Sequence, residues 1–166
     1  MSDAVIRHLE PRHLPALLDI YNHYILNAPC TFDVELKTLE DRKAWATLFA
    51  RTGRYQCFVA ERDGHAIGWS SSLKLHDRTA YETSVLTSVY LTPSEVGKGL
   101  GRRLYEILFA AIANEDIHRI HAGITHPNPA SVALHLNMGF RLVGIQTEVG
   151  RKFGKYWDVG LYERGL

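Results

Sequence analysis

Little in this sequence marks an unusual compartment or a polymeric partner. Among its 166 residues are two cysteines, Cys30 and Cys57, far apart and outside any Cys-x-x-Cys pair. Neither a disulfide framework nor a thiolate metal cage is expected, and two buried free thiols in a reducing compartment is the plainer expectation. Charge of one sign is also lacking: Lys plus Arg number 19 against 18 Asp plus Glu, with no local basic run. A nucleic-acid surface needs such an excess or stripe, so nucleic acid is not an expected partner. The longest apolar run, 107–113, is far short of the ~18 residues that a membrane span requires. The first eight residues lack the apolar stretch and cleavage pattern of a signal peptide. Repeats, linkers and low-complexity segments are absent as well. One cytoplasmic domain over 1–166, large enough for a real core, is expected, with no membrane association.

Nine histidines are present, enough to raise the question of a metal. His118 and His121 are three apart in a segment that reads as a strand, where such residues point to opposite faces. No His-Glu-x-x-His pattern or Cys/His cluster accompanies them, so no metal is expected.

The most informative stretch is 85–104, which reads as a strand, a glycine loop and a helix. β-branched and aromatic residues lead to a stop at Pro93. Leu100, Leu104, Ile107, Leu108 and Ala111 then fall on one helical face. Between them, Gly97, Gly99 and Gly101 leave the backbone open to a ligand. Amides just before a helix are unpaired at the positive end of its dipole, an arrangement suited to phosphate or pyrophosphate. Lys98, Arg102 and Arg103 add charge nearby. The spacing fits neither a Walker loop nor a dinucleotide fingerprint. A glycine-rich connection with no ligand remains the alternative on the loop alone.

The remaining elements alternate. A strand over 4–9 precedes a helix opened by Glu10-Pro11, with Leu14, Leu17, Leu18, Tyr21 and Ile25 as its buried stripe. Thr38 and Asp41 read as the cap of a second helix carrying Trp45, Leu48 and Phe49. Strands over 56–61 and 66–73 flank an Asp63-Gly64 hairpin signal, and a longer strand over 81–91 enters the glycine loop. Beyond the loop helix come a strand over 119–125 and a helix capped by Asn128 and ended by Gly139. Strands over 141–149 and 156–162 close the chain. The order β-α-α-β-β-β-α-β-α-β-β implies an α/β or α+β sandwich around one mixed sheet.

Gly99-Leu100-Gly101 after a Val-Tyr-Leu strand resembles the coenzyme A loop of the GNAT acyltransferases, with Val96 where that family usually has Gln or Arg. Asn128-Pro-Ala-Ser131, ending in Gly139-Phe140, resembles the family's later signature. Closer still, Tyr21-Asn22-His23-Tyr24, Thr31-Phe32, Arg78-x-Ala80-Tyr81, Ser88-Val89-Tyr90 and Lys155-Tyr156-Trp157-Asp158 are similar to the phosphinothricin and methionine-sulfoximine N-acetyltransferases. The resemblance implies the GNAT fold: a mostly antiparallel mixed sheet with a central splayed parallel pair, flanked by about four helices. It implies acetyl transfer from acetyl-CoA to the amine of a small amino-acid-like acceptor, and a homodimer in contact through the final strands. A non-catalytic acetyl-CoA sensor is the alternative.

The resemblance also implies roles. Pantetheine would lie along Val89, Tyr90 and Leu91, and the pyrophosphate on the loop from Val96 and Gly97 through Lys98, Gly99, Leu100 and Gly101 to Arg102. Asn128 and Ser131 would line the coenzyme's other side, although a helix cap alone explains Asn128. His135 stands where many GNAT enzymes carry the tyrosine that protonates the departing thiolate. Histidine can donate a proton near neutrality, but packing equally explains a lone histidine on a half-apolar helix. Leu86 occupies the position of the glutamate base. Glu82 shares its strand parity but stands about 13 Å along the strand, too far for a direct swap. Glu148 on the final hairpin could approach from across the site; otherwise the amine arrives neutral. Arg78 could grip a carboxylate, or be a solvated loop residue. Tyr24, Thr31, Phe32 and Trp157, with Leu86, would shape the acceptor pocket.

Overall fold

The computed structural model describes residues 3–166, so the signal-peptide reading, which starts at Met1, lies partly outside the described residues. Seven strands form one open sheet: β1 (Val5–His8), β2 (Cys57–Arg62), β3 (His65–Lys74), β4 (Ser84–Leu91), β5 (Arg119–His126), β6 (Arg141–Lys152) and β7 (Lys155–Gly165). Their order is β1-β2-β3-β4-β5-β7-β6. Every neighbouring pair is antiparallel except β4 and β5, which run parallel. Four helices accompany them: α1 (Leu14–Asn27), α2 (Leu39–Ala46), α3 (Leu100–Ile112) and α4 (Pro129–Asn137).

Strand alternation divides the buried side chains between two cores. Phe58 and Ala60 of β2 join Val85, Leu104, Leu108 and Ile120 on the face covered by α3 and α4. Cys57 and Val59 point the other way, to Leu17 and Ile20 of α1 and to Trp69. A strand buried on both faces loses the apolar-polar alternation of a half-exposed one, which is why 57–61 reads as a continuous buried run.

Several boundaries differ from the sequence expectation. A 3-10 turn, Pro11–His13, precedes α1, whose fully buried positions are Leu14, Leu17, Ile20 and Ile25; Leu18 and Tyr21 are only half-buried. The Thr38–Asp41 capping box forms, with the Asp41 amide donating to the Thr38 hydroxyl at 3.2 Å. That helix ends at Ala46, leaving Leu48 and Phe49 beyond it. β4 begins at Ser84 because Tyr81 and Glu82 donate their amides to Arg78 and Thr79, closing a 3-10 turn instead of extending the strand. In α3 the buried face carries Tyr105, Phe109 and Ile112, while Ile107 and Ala111 are exposed. The helix is rotated so that two stacked rings, 4.9 Å apart, enter the core. They bury more apolar area than the smaller pair would.

Candidate active site

The site begins where two strands part. β4 and β5 are paired only at Ser84–Arg119, Val85–Ile120 and Leu86–His121. β4 stays paired with β3 as far as Leu91. Past Leu86 the edge of β4 turned toward β5 is therefore not part of a ladder, and backbone groups there can receive an extended amide chain. A cavity of about 630 Å³ occupies the opening.

The glycine loop closes one end of it. Gly97 and Gly99 have φ of 81° and 80°, left-handed values that glycine adopts without penalty. Gly99 caps α3, so the first amides of the helix are free to face an anion. A Cβ on Gly101 would come within 3.2 Å of the Leu134 side chain, so a larger residue there would push Leu134 aside where α3 approaches α4. Arg102 lines the cavity while its guanidinium donates to Glu106 at 2.7 Å. Lys98 reaches Glu95, and Arg103 turns away to donate to the Ala4 carbonyl. Of the three cations only Arg102 lines the cavity, so the loop's positive character rests on its amides and that one guanidinium.

Of the residues expected at the coenzyme, Val89, Tyr90, Leu91, Val96, Gly97, Gly99, Gly101, Arg102, Asn128 and Ser131 line this one cavity. Leu100 points its side chain into the core, and Lys98 does not line the cavity. Asn128 caps α4, its side-chain oxygen accepting from the Ser131 amide.

His135 also lines the cavity and is buried. Its Nδ1 lies 2.8 Å from the Ser131 carbonyl, which can only accept, so Nδ1 carries the proton. Nε2 then accepts from the Tyr105 hydroxyl, 3.0 Å away. Burial holds the imidazole below its usual pKa, against the pull of the Ser131 carbonyl. In this neutral form neither nitrogen has a spare proton; the ring can only relay one from Tyr105. Burial also pushes the Tyr105 phenol well up, so the pair is an uncharged hydrogen-bonded unit. Tyr105 was not singled out in the sequence, although its place one turn after Gly101 put it on the loop's own face.

The residues expected at the acceptor divide: Tyr24 lines the cavity, and Thr31, Phe32, Leu86 and Trp157 do not. Tyr24 lines the cavity and donates its hydroxyl to the Leu91 carbonyl at 2.6 Å. Thr31 is buried and shares a hydrogen bond with Tyr21. Phe32 packs against Gly150, where any Cβ would overlap its ring, and Trp157 is the cross-strand partner of Gly150. Lys152 joins them. This buried lysine donates its ammonium to the carbonyls of Ala28 and Thr31 at 2.9 and 2.8 Å, and the Trp157 indole donates to its backbone carbonyl. Nothing in the sequence around Lys152 distinguishes it from a solvated hairpin lysine.

Arg78 is exposed in the connection between β3 and β4, outside the cavity lining. Leu86 is 38% exposed on β4. Glu82 lies in the turn before β4, so it does not share that strand's alternation as the sequence suggests, and it faces Arg54. Glu148 is exposed on a bulge of β6 at φ 51°, its amide held by Asp158. Neither glutamate lines the cavity. Cys57 is buried; Cys30 is only half-buried and lines the cavity, its thiol pKa raised by burial. Among the described residues no group of three metal-ligating side chains occurs, and no helix is long and apolar enough to cross a membrane.

Residues 17–140, which hold the loop, the splayed strands and the capped α4, match the acetyltransferase (GNAT) family. The chain belongs to that family. This acetyltransferase is 47% identical over 155 residues to the phosphinothricin N-acetyltransferase of Streptomyces coelicolor, covering 92% of this chain and 91% of that enzyme. It is 30% identical to the L-methionine sulfoximine/L-methionine sulfone acetyltransferase of Pseudomonas aeruginosa, covering 98% and 95%. Among solved structures, the phosphinothricin acetyltransferase of Sinorhizobium meliloti in complex with acetyl-CoA superposes with a TM-score of 0.91 at 29% identity, covering 99% of this chain and 89% of that one. An N-acetyltransferase of Staphylococcus aureus reaches a TM-score of 0.93 at 30% identity, covering 99% of both. GNAT enzymes use acetyl-CoA, which supplies an acetyl group activated as a thioester. The glycine cradle, the free strand edge and the α3 N-terminus fit its pyrophosphate and amide chain.

Proposed function

We propose that this acetyltransferase acts on the primary amine of a small amino-acid-like acceptor, of the phosphinothricin or methionine-sulfoximine type, as one GNAT domain in the reducing cytoplasm. The observation that carries the reading is the cavity running from the Gly97–Gly101 loop to Tyr24 and Cys30. Phe32, Gly150, Lys152 and Trp157 do not line it but pack together behind the segment that carries Cys30, which Lys152 holds by the Ala28 and Thr31 carbonyls. A cavity of this size, filled in part by the coenzyme's amide chain, leaves room for a compact acceptor, and the named activities of the relatives support the same class. Arg78 would hold the acceptor's carboxylate from the β3–β4 connection. The Tyr105–His135 pair would pass a proton toward the departing thiolate.

Two copies of the chain would pair through the final hairpin. β6 is an edge strand, and Val143, Ile145 and Val149 on it are exposed. An edge carrying this much apolar surface is one that folded proteins cover.

Leu86 favours a second reading, a sensor that binds acetyl-CoA without turnover, because it places a hydrocarbon where the family's base stands. Thiol release from acetyl-CoA separates the two. With a panel of amines including phosphinothricin and methionine sulfoximine, saturable release with at least one amino acid is expected. Tight acetyl-CoA binding with no release above the solvent rate for any amine would overturn the enzymatic reading.

A further inference from the structure

The row of side chains across the sheet at Leu86 holds a group that can replace a carboxylate base. Register places Leu73, Leu86, His121, Glu163 and Arg141 side by side on β3, β4, β5, β7 and β6. Adjacent residues in register share a face of the sheet. His121 is therefore the lateral neighbour of Leu86, on the face opposite Val85 and Ile120, whose side chains enter the α3 core. Neither Leu86 nor His121 lines the cavity, whose wall begins one residue on at Thr87 and Ala122 and includes Ser88 and Gly123, two residues further along β4 and β5 on the face of Leu86 and His121. Two residues span about 6.6 Å of strand, a distance that an imidazole bridges directly or with one water. The Leu86–His121 pair is also the last before the strands part.

We propose that His121 is the general base for the acceptor amine, serving from β5 the function that a glutamate at position 86 would serve from β4. The inference rests on the acetyl-transfer reading above. The imidazole takes one proton from the acceptor's ammonium group. The freed amine lone pair forms the C–N bond to the acetyl carbonyl, and the C–S bond breaks with its electron pair on sulfur. The second nitrogen proton goes to the thiolate, and His121 returns its own to solvent.

The surroundings suit a base that must be neutral at rest and charged in transit. Burial holds the imidazole below its usual pKa; Glu163 pulls it up, and Arg119 and His76 push it down. Glu163 is itself paired with Arg141 on β6. Leu86, the neighbour on β4, contributes no charge. His76, in ring contact with Tyr81, faces it from the β3–β4 connection, which also carries Arg78. A neutral imidazole is the competent form, so activity is present above the lowered pKa and lost as pH falls through it.

The test is the pH dependence of His121→Gln with whichever acceptor the native enzyme turns over. Native kcat/KM should be level through neutrality and fall below about pH 6.5, tracking the titration of the His121 ring followed by NMR. In His121→Gln, kcat/KM at pH 7 should drop about a hundredfold and climb with pH toward the amine's own pKa. Its melting temperature and calorimetric acetyl-CoA affinity should match the native protein. Adding Leu86→Glu to His121→Gln should restore the level profile. A folded His121→Gln with native rate and native profile would overturn the assignment, as would a His121 titration unrelated to the rate limb. If the native chain acetylates no amine, the acetyl-transfer reading fails and the base falls with it; turnover that ignores His121 removes the base alone.

Discussion

At the scale of single residues, Gly99 offers the cleanest separation of binding from folding. Its Cβ position is open, with nothing within 4 Å, and aspartate tolerates a φ of 80° better than most side chains. The left-handed backbone still strains any side chain by about 1–2 kcal/mol, a cost that leaves the protein folded while the aspartate of Gly99→Asp fills the anion site with its own carboxylate. Repulsion between charges near 4 Å is about 1–4 kcal/mol at effective dielectrics of 80 to 20. A loss of about fivefold or more in acetyl-CoA affinity is therefore expected by calorimetry, in a variant whose melting temperature falls by several degrees but which stays folded at the assay temperature; unchanged affinity would show that the loop holds no pyrophosphate. The glycines were legible in the sequence because backbone freedom leaves a composition signature. Partners such as Tyr105 for His135, or His121 for Leu86, were not, because they come from different elements and meet only through packing and register.

At the scale of elements, the helices and strands followed from periodicity, while their faces and ends answered to local competition. The α3 stripe read from Leu100, Leu104, Ile107, Leu108 and Ala111 missed the rotation demanded by Tyr105 and Phe109. The β4 start missed the 3-10 turn at Thr79–Tyr81, whose amide bonds compete with strand extension. The β6–β7 hairpin carries the element-scale prediction. Lys152 ties it to the carbonyls that follow α1, so Lys152→Met should leave buried acceptors without a donor. The expected cost is about 1–3 kcal/mol, measured by urea unfolding. KM for the acceptor should rise severalfold while KM for acetyl-CoA stays within twofold if, as proposed, the acceptor lies toward Tyr24 and Cys30, because the segment loosened is the one that carries Cys30. Equal changes in both constants would place Lys152 in the general scaffold instead.

At the scale of the whole molecule, the exposed edge of β6 predicts assembly. Sedimentation at micromolar concentration should find a dimer, and Ile145→Glu, which puts a charge at the middle of that edge, should yield monomer with little change in melting temperature. A native monomer would remove the pairing. The element order made the architecture readable from the chain, but not how its parts meet. β1 to β4 form one antiparallel ribbon in chain order, β5, β7 and β6 form a second out of chain order, and between them the sheet is joined by three residue pairs. Strands rotate against one another by some 20–25° per neighbour, and the angle responds to side chains on both faces. The gap that receives the donor is therefore set by how two twisted ribbons meet along a short weld. Substitutions deep in either ribbon, far from any ligand, can widen or narrow it, so the donor fit of this enzyme is a property of the curvature of its whole sheet.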